Sequence, residues 1–126
     1  MKIVIADDDA LYRALLSQML GELGHAVVAA ASGPEAVELV RREQPDAVVL
    51  DFLMPRMSGL DVLRAIRAGG RRVPAVLLTA ITDGSIRAVG GADAPDAILE
   101  KPVRKKDLER ALARALRAPC GSSARC

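Results

Sequence analysis

The sequence is poor in aromatic residues and has almost no excess charge. It contains no tryptophan, one tyrosine (Tyr12) and one phenylalanine (Phe52), so its core must be built from valine, leucine, isoleucine and alanine. So few aromatic rings argue against a stacking platform for single-stranded nucleic acid. The formal net charge of +2 is too small to indicate nucleic-acid binding by itself. We therefore expect this domain to make no direct contact with nucleic acid.

Long hydrophobic runs and core cysteines are absent as well. The longest apolar runs have four to six residues, whereas a membrane-spanning helix needs about 20, so we expect no membrane contact. The first three residues lead directly into a strand-like run, without the pattern of a signal peptide. Both cysteines, Cys120 and Cys126, lie in the polar last segment, where a disulfide would hold nothing in the core. These features favour a reducing, cytoplasmic location.

What the sequence does contain is the composition of one folded domain. With 126 residues, 51% of them hydrophobic and 27% charged, the chain can bury a single core without disulfides. Five short apolar runs recur, and most are rich in valine, isoleucine and leucine without polar alternation, which is typical of strands buried on both faces. The predicted strands are residues 3–6, 26–30, 47–50, 75–78 and 97–99.

Helical patterns lie between and after these runs. Ser32 with Glu35, and Ser58 with Asp61, form possible capping boxes that open the second and third helices. Gly24 is placed to end the first helix. The apolar stripe of the first helix consists of Tyr12, Leu15, Leu16, Met19, Leu20 and Leu23.

The last two helical patterns differ in strength. Residues 83–95 contain three glycines and end in a proline, and each interior glycine costs about 1 kcal/mol relative to alanine, so we expect a short, easily frayed fourth helix. The last helix has leucines and alanines on one side; its other side is a basic stripe that either meets an acidic partner or is simply solvated. The stripe consists of Lys106, Arg110, Arg114 and Arg117.

Alternating strands and helices predict the fold class. Parallel strands joined by right-handed crossovers give an α/β domain with a doubly wound sheet and helices on both faces. We expect this domain to span residues 1–117, followed by a flexible polar tail or truncated linker over residues 118–126.

Polar residues follow four of the five predicted strands. In parallel sheets the carboxyl ends of the strands share one edge, and ligands bind there. Crowded carboxylates repel one another unless a cation such as Mg²⁺ joins them, an aspartate can act as a covalent nucleophile, and a lysine can hold a phosphate oxygen. These residues are Asp7, Asp8 and Asp9, then Asp51, then Thr79, then Lys101. Each alone could be a helix cap or a strand end, but the set favours phosphoryl transfer.

This set of motifs resembles the receiver domain of bacterial two-component response regulators. The resemblance covers residues 1 to about 117 and implies a CheY-like, flavodoxin-like (βα)5 fold with strand order 2-1-3-4-5. The matching segments are the Asp7–Asp8 pair, residues 51–55 with Gly59 in the next helix, Thr79 with Ala80, and Lys101 with Pro102.

The resemblance implies a role for each matching residue. Asp51 resembles the phosphoacceptor. Asp51, Asp8 and the backbone carbonyl of Leu53 together resemble the ligands of Mg²⁺. Asp7 resembles the other member of the acidic pocket, which holds a metal-bound water. Asp9 is expected to cap the first helix. Thr79 resembles the switch hydroxyl, and Lys101 resembles the phosphate-binding cation. The peptide bond between Lys101 and Pro102 is often cis in this family.

The implied function is a signalling switch that catalyses only its own modification. A sensor histidine kinase or phosphotransfer protein would donate the phosphoryl group, and the surface of the fourth helix, fifth strand and last helix would control an output protein or domain. The same surface would support a monomer or a weak homodimer.

Several positions depart from the family pattern. Ile98 stands where an aromatic residue is usual, and Val103 where phenylalanine is common. We therefore expect the glycine-rich segment 83–91 to order or shift on phosphorylation instead, which hydrogen exchange with and without a phosphate analogue would test.

Leu53 and Ile81 offer no polar side chain to position an attacking water, so we expect slow self-dephosphorylation.

Three other functions fit the residues less well. A phosphohydrolase with a nucleophilic aspartate usually needs a second carboxylate two residues later, where this chain has Leu53. A flavin- or nucleotide-binding module would need a glycine-rich loop after the first strand, where this chain has aspartates. A receiver that only binds partners would not need its acidic, threonine and lysine positions.

Overall fold

The computed structural model of the protein describes residues 1–54, 56–70, 72–79 and 95–117. Within these residues five strands and four helices follow one another along the chain. They are β1 (Lys2–Ala6), α1 (Ala10–Glu22), β2 (Ala26–Ala30), α2 (Gly33–Glu43), β3 (Ala47–Asp51), α3 (Gly59–Ala68), β4 (Ala75–Thr79), β5 (Ala97–Glu100) and α4 (Lys105–Arg117). The frayed helix expected within residues 83–95 and the tail expected over residues 118–126 lie outside the described residues, apart from Pro95.

The five strands form one parallel sheet in the order β2-β1-β3-β4-β5. This confirms the predicted doubly wound α/β fold, and each strand lies within one residue of its predicted bounds. The chain moves from β1 outward to β2 and then returns to the other side of β1 at β3. The carboxyl ends of β1 and β3 therefore flank the switch point of the sheet, where ligands bind in such folds.

Alternating residues of the sheet feed two separate hydrophobic layers. Ile3 and Ile5 of β1 pack with α1 and α4, while Val4 and Ala6 pack with α2 and α3. The central strands β1, β3 and β4 are almost completely buried, as their apolar sequences predict. The prediction of burial on both faces is wrong for the outer strands β2 and β5, most of whose residues are only partly buried or exposed.

Helix starts and ends follow the capping signals closely. Asp9 caps α1, and Gly24, with a φ of 92°, follows its end. Ser58 and Asp61 form the complete capping box of α3. At α2 the box is altered: Ser32 accepts from the Glu35 N–H as predicted, but the Glu35 carboxylate accepts from the Ala31 N–H at 2.8 Å.

The apolar stripe of α1 is buried only in part. Leu16, Met19 and Leu20 lie in the core, whereas Leu15 is 44% exposed. None of the helices in the described ranges is long and apolar enough to cross a membrane.

Candidate functional site

The ends of four strands bring the predicted site residues to one edge of the sheet. Asp51 is the last residue of β3 and Thr79 the last of β4, while Asp7 and Lys101 directly follow β1 and β5. Backbone hydrogen bonds continue the sheet past the strand ends, since the N–H of Asp7 donates to Ala30 and that of Lys101 donates to Thr79. The loops at this edge are therefore held in the register of the sheet.

Three carboxylates gather at this edge. Oxygen atoms of Asp7, Asp8 and Asp51 all lie within 4.8 Å of one another. Asp7 is completely buried and Asp51 is 6% exposed, whereas Asp8 is exposed at the mouth of the cluster. Such a set of hard oxygen donors, open to solvent on one side, is suited to a small divalent cation such as Mg²⁺.

Lys101 is the cation nearest to this cluster in the described part of the chain. Its Nζ lies 3.2 Å from an Asp7 oxygen and 3.2 Å from an Asp51 oxygen, and its side chain is 19% exposed. On another side the same Nζ lies over the ring of Tyr12, 4.3 Å from the centroid. The Lys101–Pro102 peptide bond is cis, as the resemblance implies.

The electrostatics of the cluster leave it short of positive charge. Burial, and then the negative charge of Asp7, raise the pKa of Asp51 from 3.8 to about 6, although Lys101 partly offsets both effects. For Lys101, burial alone would lower the pKa, but its hydrogen bond and ion pair with Asp51, together with Asp7, raise it. One ammonium group cannot neutralise three carboxylates, so the cluster favours a further cation.

The loop after β1 is held by hydrogen bonds between side chains and backbone. The Asp9 N–H donates to Asp7 Oδ1 at 2.9 Å, and the Arg13 guanidinium donates to the Asp7 carbonyl at 2.8 Å. The Asp9 carboxylate accepts from the Leu11 N–H at 3.0 Å, which confirms its expected role as the cap of α1. Asp9 is thus used structurally, and Asp7 and Asp8 form the acidic pair.

The loop after β3 depends on a glycine. The Gly59 N–H donates to the Phe52 carbonyl at 2.9 Å, which folds the start of α3 back onto the end of β3. A Cβ at Gly59 would lie 2.6 Å from the Asp51 carbonyl oxygen and 2.6 Å from Leu77 Cδ1. Gly59 therefore allows α3 to approach the backbone of the predicted phosphoacceptor.

The remaining predicted residues lie around the cluster. Thr79 is 4% exposed and belongs to β4, the strand next to the one that ends in Asp51. The side chain of Leu53 is 55% exposed, two residues after Asp51. Ala80 and Ile81 lie outside the described residues.

Two residues that contact the site were not predicted. Tyr12 and Arg13 lie on the first turn of α1 and reach Lys101 and the Asp7 carbonyl. The apolar periodicity of α1 assigned Tyr12 to the core. Its status as the sole tyrosine, one helical turn after the aspartates, is the signal that could have identified it.

Comparison with known proteins gives matches along most of the chain. Residues 3–113 match the response regulator receiver domain family. The response regulator MprA of Mycobacterium leprae (strain TN) is 41% identical over 108 residues, and the probable transcriptional regulator ycf27 of Porphyridium aerugineum is 38% identical over 116 residues. These alignments cover 86% and 92% of this chain but 47% and 48% of those proteins, so the chain spans about half the length of the curated relatives it matches.

The solved structures that resemble this chain include receiver domains as well. The chemotaxis protein CheY4 of Vibrio cholerae superposes with a TM-score of 0.85 at 28% identity, over 90% of this chain and 97% of that one. The receiver domain of a sensor histidine kinase from Pseudomonas aeruginosa PAO1 superposes with a TM-score of 0.81 at 32% identity, over 91% and 96%. That domain was crystallised with a magnesium ion coordinated in its active-site cleft.

Proposed function

The chain belongs to the response regulator receiver domain family, and we propose that Asp51 is the residue on which it accepts a phosphoryl group in a Mg²⁺-dependent reaction. A sensor histidine kinase or a phosphotransfer protein would be the donor. The domain is a signalling switch rather than an enzyme with an external substrate. It catalyses only the phosphorylation and dephosphorylation of its own Asp51.

The observation that carries this proposal is the arrangement of charge at the sheet edge. Asp51 lies beside a buried carboxylate, Asp7, and an exposed one, Asp8, and oxygens of all three lie within 4.8 Å of one another. Lys101 contacts both Asp7 and Asp51. Nucleophile, acidic pair and phosphate-binding cation are therefore within reach of one incoming phosphoryl group.

The donor atoms fit Mg²⁺. We assign Asp8, Asp51 and the backbone carbonyl of Leu53 as direct ligands. Asp7 would hold a metal-bound water, because its two oxygens already accept hydrogen bonds from the Asp9 N–H and from Lys101. The ion would supply positive charge that relieves the repulsion among the carboxylates and offsets charge on the transferred group.

In the reaction, an Asp51 carboxylate oxygen attacks the phosphorus of the donor. A new P–O bond forms, and the P–N bond of a phosphohistidine, or the P–O bond of an acyl phosphate, breaks with its electron pair leaving on the donor. Lys101 holds an oxygen of the transferred group as its contact with the Asp51 carboxylate is exchanged for one with phosphate. The Thr79 hydroxyl would donate to another phosphoryl oxygen, which couples β4, the strand that ends in Thr79, to the new charge.

Output would leave through the surface formed by β5 and α4; the fourth helix expected to share this output surface lies outside the described residues. In the described part of this surface, an open groove of about 270 Å³ is lined by β5 and α4, with Ile98, Arg110 and Arg114 among its residues. Arg110, Arg114 and Lys106 are exposed, which suits an acidic partner, and the side chain of Arg117 lies outside the described part. A weak homodimer through this surface is the alternative to a monomer.

A direct test uses acetyl phosphate as the donor. The 126-residue chain is incubated with Mg²⁺ and acetyl phosphate, and intact mass is recorded. We expect one added phosphoryl group in the wild type and none in Asp51→Asn or when Mg²⁺ is removed by a chelator. Asp9→Asn is the matched control, because it removes a neighbouring carboxylate while keeping a good helix cap. Equal labelling of Asp51→Asn and wild type would refute the assignment.

A further inference from the structure

Tyr12 makes one contact with Lys101 and one with the loop that carries it. Its ring lies under the Lys101 ammonium, with Nζ 4.3 Å from the centroid. Its hydroxyl accepts a hydrogen bond from the Val103 N–H at 2.9 Å. The first contact holds the end of the lysine side chain, and the second holds the backbone two residues after it.

The rest of the Tyr12 side chain is anchored. Tyr12 packs against the core layer formed by α1 and α4, which includes Leu108 and the buried Val103. It therefore bridges α1 to the loop that joins β5 to α4, across most of the length of the sequence. Packing against the core thus restrains the ring that the ammonium contacts.

Lysine needs such a support more than arginine does. Its ammonium is a point charge on a flexible four-carbon stem and does not set its own direction. Two carboxylates attract it, and one of them, Asp51, changes its charge distribution when it is phosphorylated. The Tyr12 ring attracts the cation whether or not Asp51 carries a phosphoryl group, because the attraction comes from the ring itself.

We propose that Tyr12 is a positioning residue for phosphoryl transfer: its ring holds the Lys101 ammonium, and its hydroxyl holds the loop that carries Lys101, in place to receive the incoming phosphoryl oxygen. This inference rests on the proposed function of Asp51 and Lys101. It goes beyond the acidic, threonine and lysine positions because it assigns a role to a residue of α1 that no matching motif includes.

Two substitutions separate the two contacts. Tyr12→Phe keeps the ring and loses the hydroxyl, whereas Tyr12→Leu loses both. We expect Tyr12→Leu to lower the second-order rate constant of labelling by acetyl phosphate roughly three- to tenfold, because a cation over an aromatic face is a modest but measurable interaction. Tyr12→Phe, which loses only the hydroxyl contact with the loop, should lower the rate clearly less than Tyr12→Leu does. Leu15→Ala, one turn along α1 and half-exposed, controls for general effects on the helix.

A double-mutant cycle links the effect to Lys101. In a Lys101→Met background, Tyr12→Leu should change the rate less than twofold, since the ammonium it supports is gone. A loss of equal size in both backgrounds, or a wild-type rate in Tyr12→Leu alone, would overturn the inference. If Tyr12→Phe and Tyr12→Leu were impaired equally, the ring contact would be refuted.

Nuclear magnetic resonance tests the contact between the Tyr12 ring and the Lys101 side chain in protein that has not been phosphorylated. The Lys101 methylene protons next to Nζ should resonate upfield in the wild type and in Tyr12→Phe, and move to ordinary positions in Tyr12→Leu. Identical shifts in all three proteins would exclude the contact. A wild type that takes up no phosphoryl group would instead contradict the function proposed for Asp51 and leave this spectroscopic result to stand by itself.

Discussion

Replacing Asp51 by asparagine should make the protein more stable when no divalent cation is present. The Asp51 carboxylate is nearly buried, lies beside Asp7 and Asp8, and has only Lys101 as a counter-charge in the described part of the site. Asparagine has almost the same shape but no charge. The substitution therefore removes an ionised group that the folded state holds less favourably than water does.

The size of the effect follows from the pKa of Asp51, which rises from 3.8 to about 6 on folding. One pKa unit corresponds to about 1.36 kcal/mol, so two units would give ~3 kcal/mol for a group shielded completely from solvent. The cluster is exposed to water on the side of Asp8, and water screens the interactions between the charges. We therefore expect Asp51→Asn to raise the free energy of unfolding by roughly 1–2 kcal/mol at pH 7.5.

The same reasoning fixes the pH dependence. Between pH 4 and pH 6 the folded wild type binds more protons at Asp51 than the unfolded chain, so the free energy of unfolding falls as pH rises through this window. Asp51→Asn lacks this dependence. The stability difference between the two proteins should thus be small near pH 4, grow up to about pH 6, and then stay constant.

Urea unfolding of wild type, Asp51→Asn and the control Asp9→Asn at several pH values, with and without Mg²⁺, measures these differences. Mg²⁺ should stabilise the wild type by about 2.7 kcal/mol for a site at a hundredfold excess over its Kd and should stabilise Asp51→Asn by less, so the difference should shrink or reverse. An Asp51→Asn protein less stable than wild type in chelator, or a difference independent of pH, would refute the reasoning.

Three further predictions concern individual residues. Lys101→Met should slow labelling by acetyl phosphate roughly 10- to 100-fold, because a preorganised charge at the transferred group is lost; an unchanged rate in intact-mass time courses would exclude its role. Gly59→Ala should destabilise the fold by about 1–3 kcal/mol, because the new methyl group meets the Asp51 backbone and Leu77, whereas Gly69→Ala, with ordinary contacts, should not; equal urea midpoints would contradict this. The phosphorylated wild type should lose its phosphoryl group slowly, and Leu53→Gln should accelerate that loss by offering an amide to position water; a wild-type half-life of seconds by intact mass would be the opposite result.

Local signals in the sequence were enough to predict most of the fold. The apolar runs give the strands to within one residue. For the central strands β1, β3 and β4 the reason is that burial on both faces leaves no polar face to blur the pattern. Asp9, Ser58 and Gly24 give the helix boundaries through their caps. The same locality explains the cluster, since Asp7, Asp51 and Lys101 each end or directly follow a strand and the topology brings these strand ends together.

Contacts between residues far apart in the sequence could not be predicted in this way. The nearly buried ion pair between Arg67 and Asp96, at 3.2 Å, joins the end of α3 to the start of β5. The contact of Tyr12 with Lys101 joins α1 to the loop after β5. In neither case does the local sequence around one residue carry information about the other, because only the packed layers determine which side chains meet.

The scarcity of aromatic residues has a practical consequence for experiments. Tyr12 is the sole tyrosine and tryptophan is absent, so ultraviolet emission of the protein arises almost entirely from one ring, 4.3 Å from the Lys101 ammonium. Any movement of that ammonium alters the electric field at the fluorophore. The protein therefore carries an intrinsic optical reporter at its candidate site, and stopped-flow fluorescence can test for the proposed ion binding and phosphoryl uptake in real time without a label.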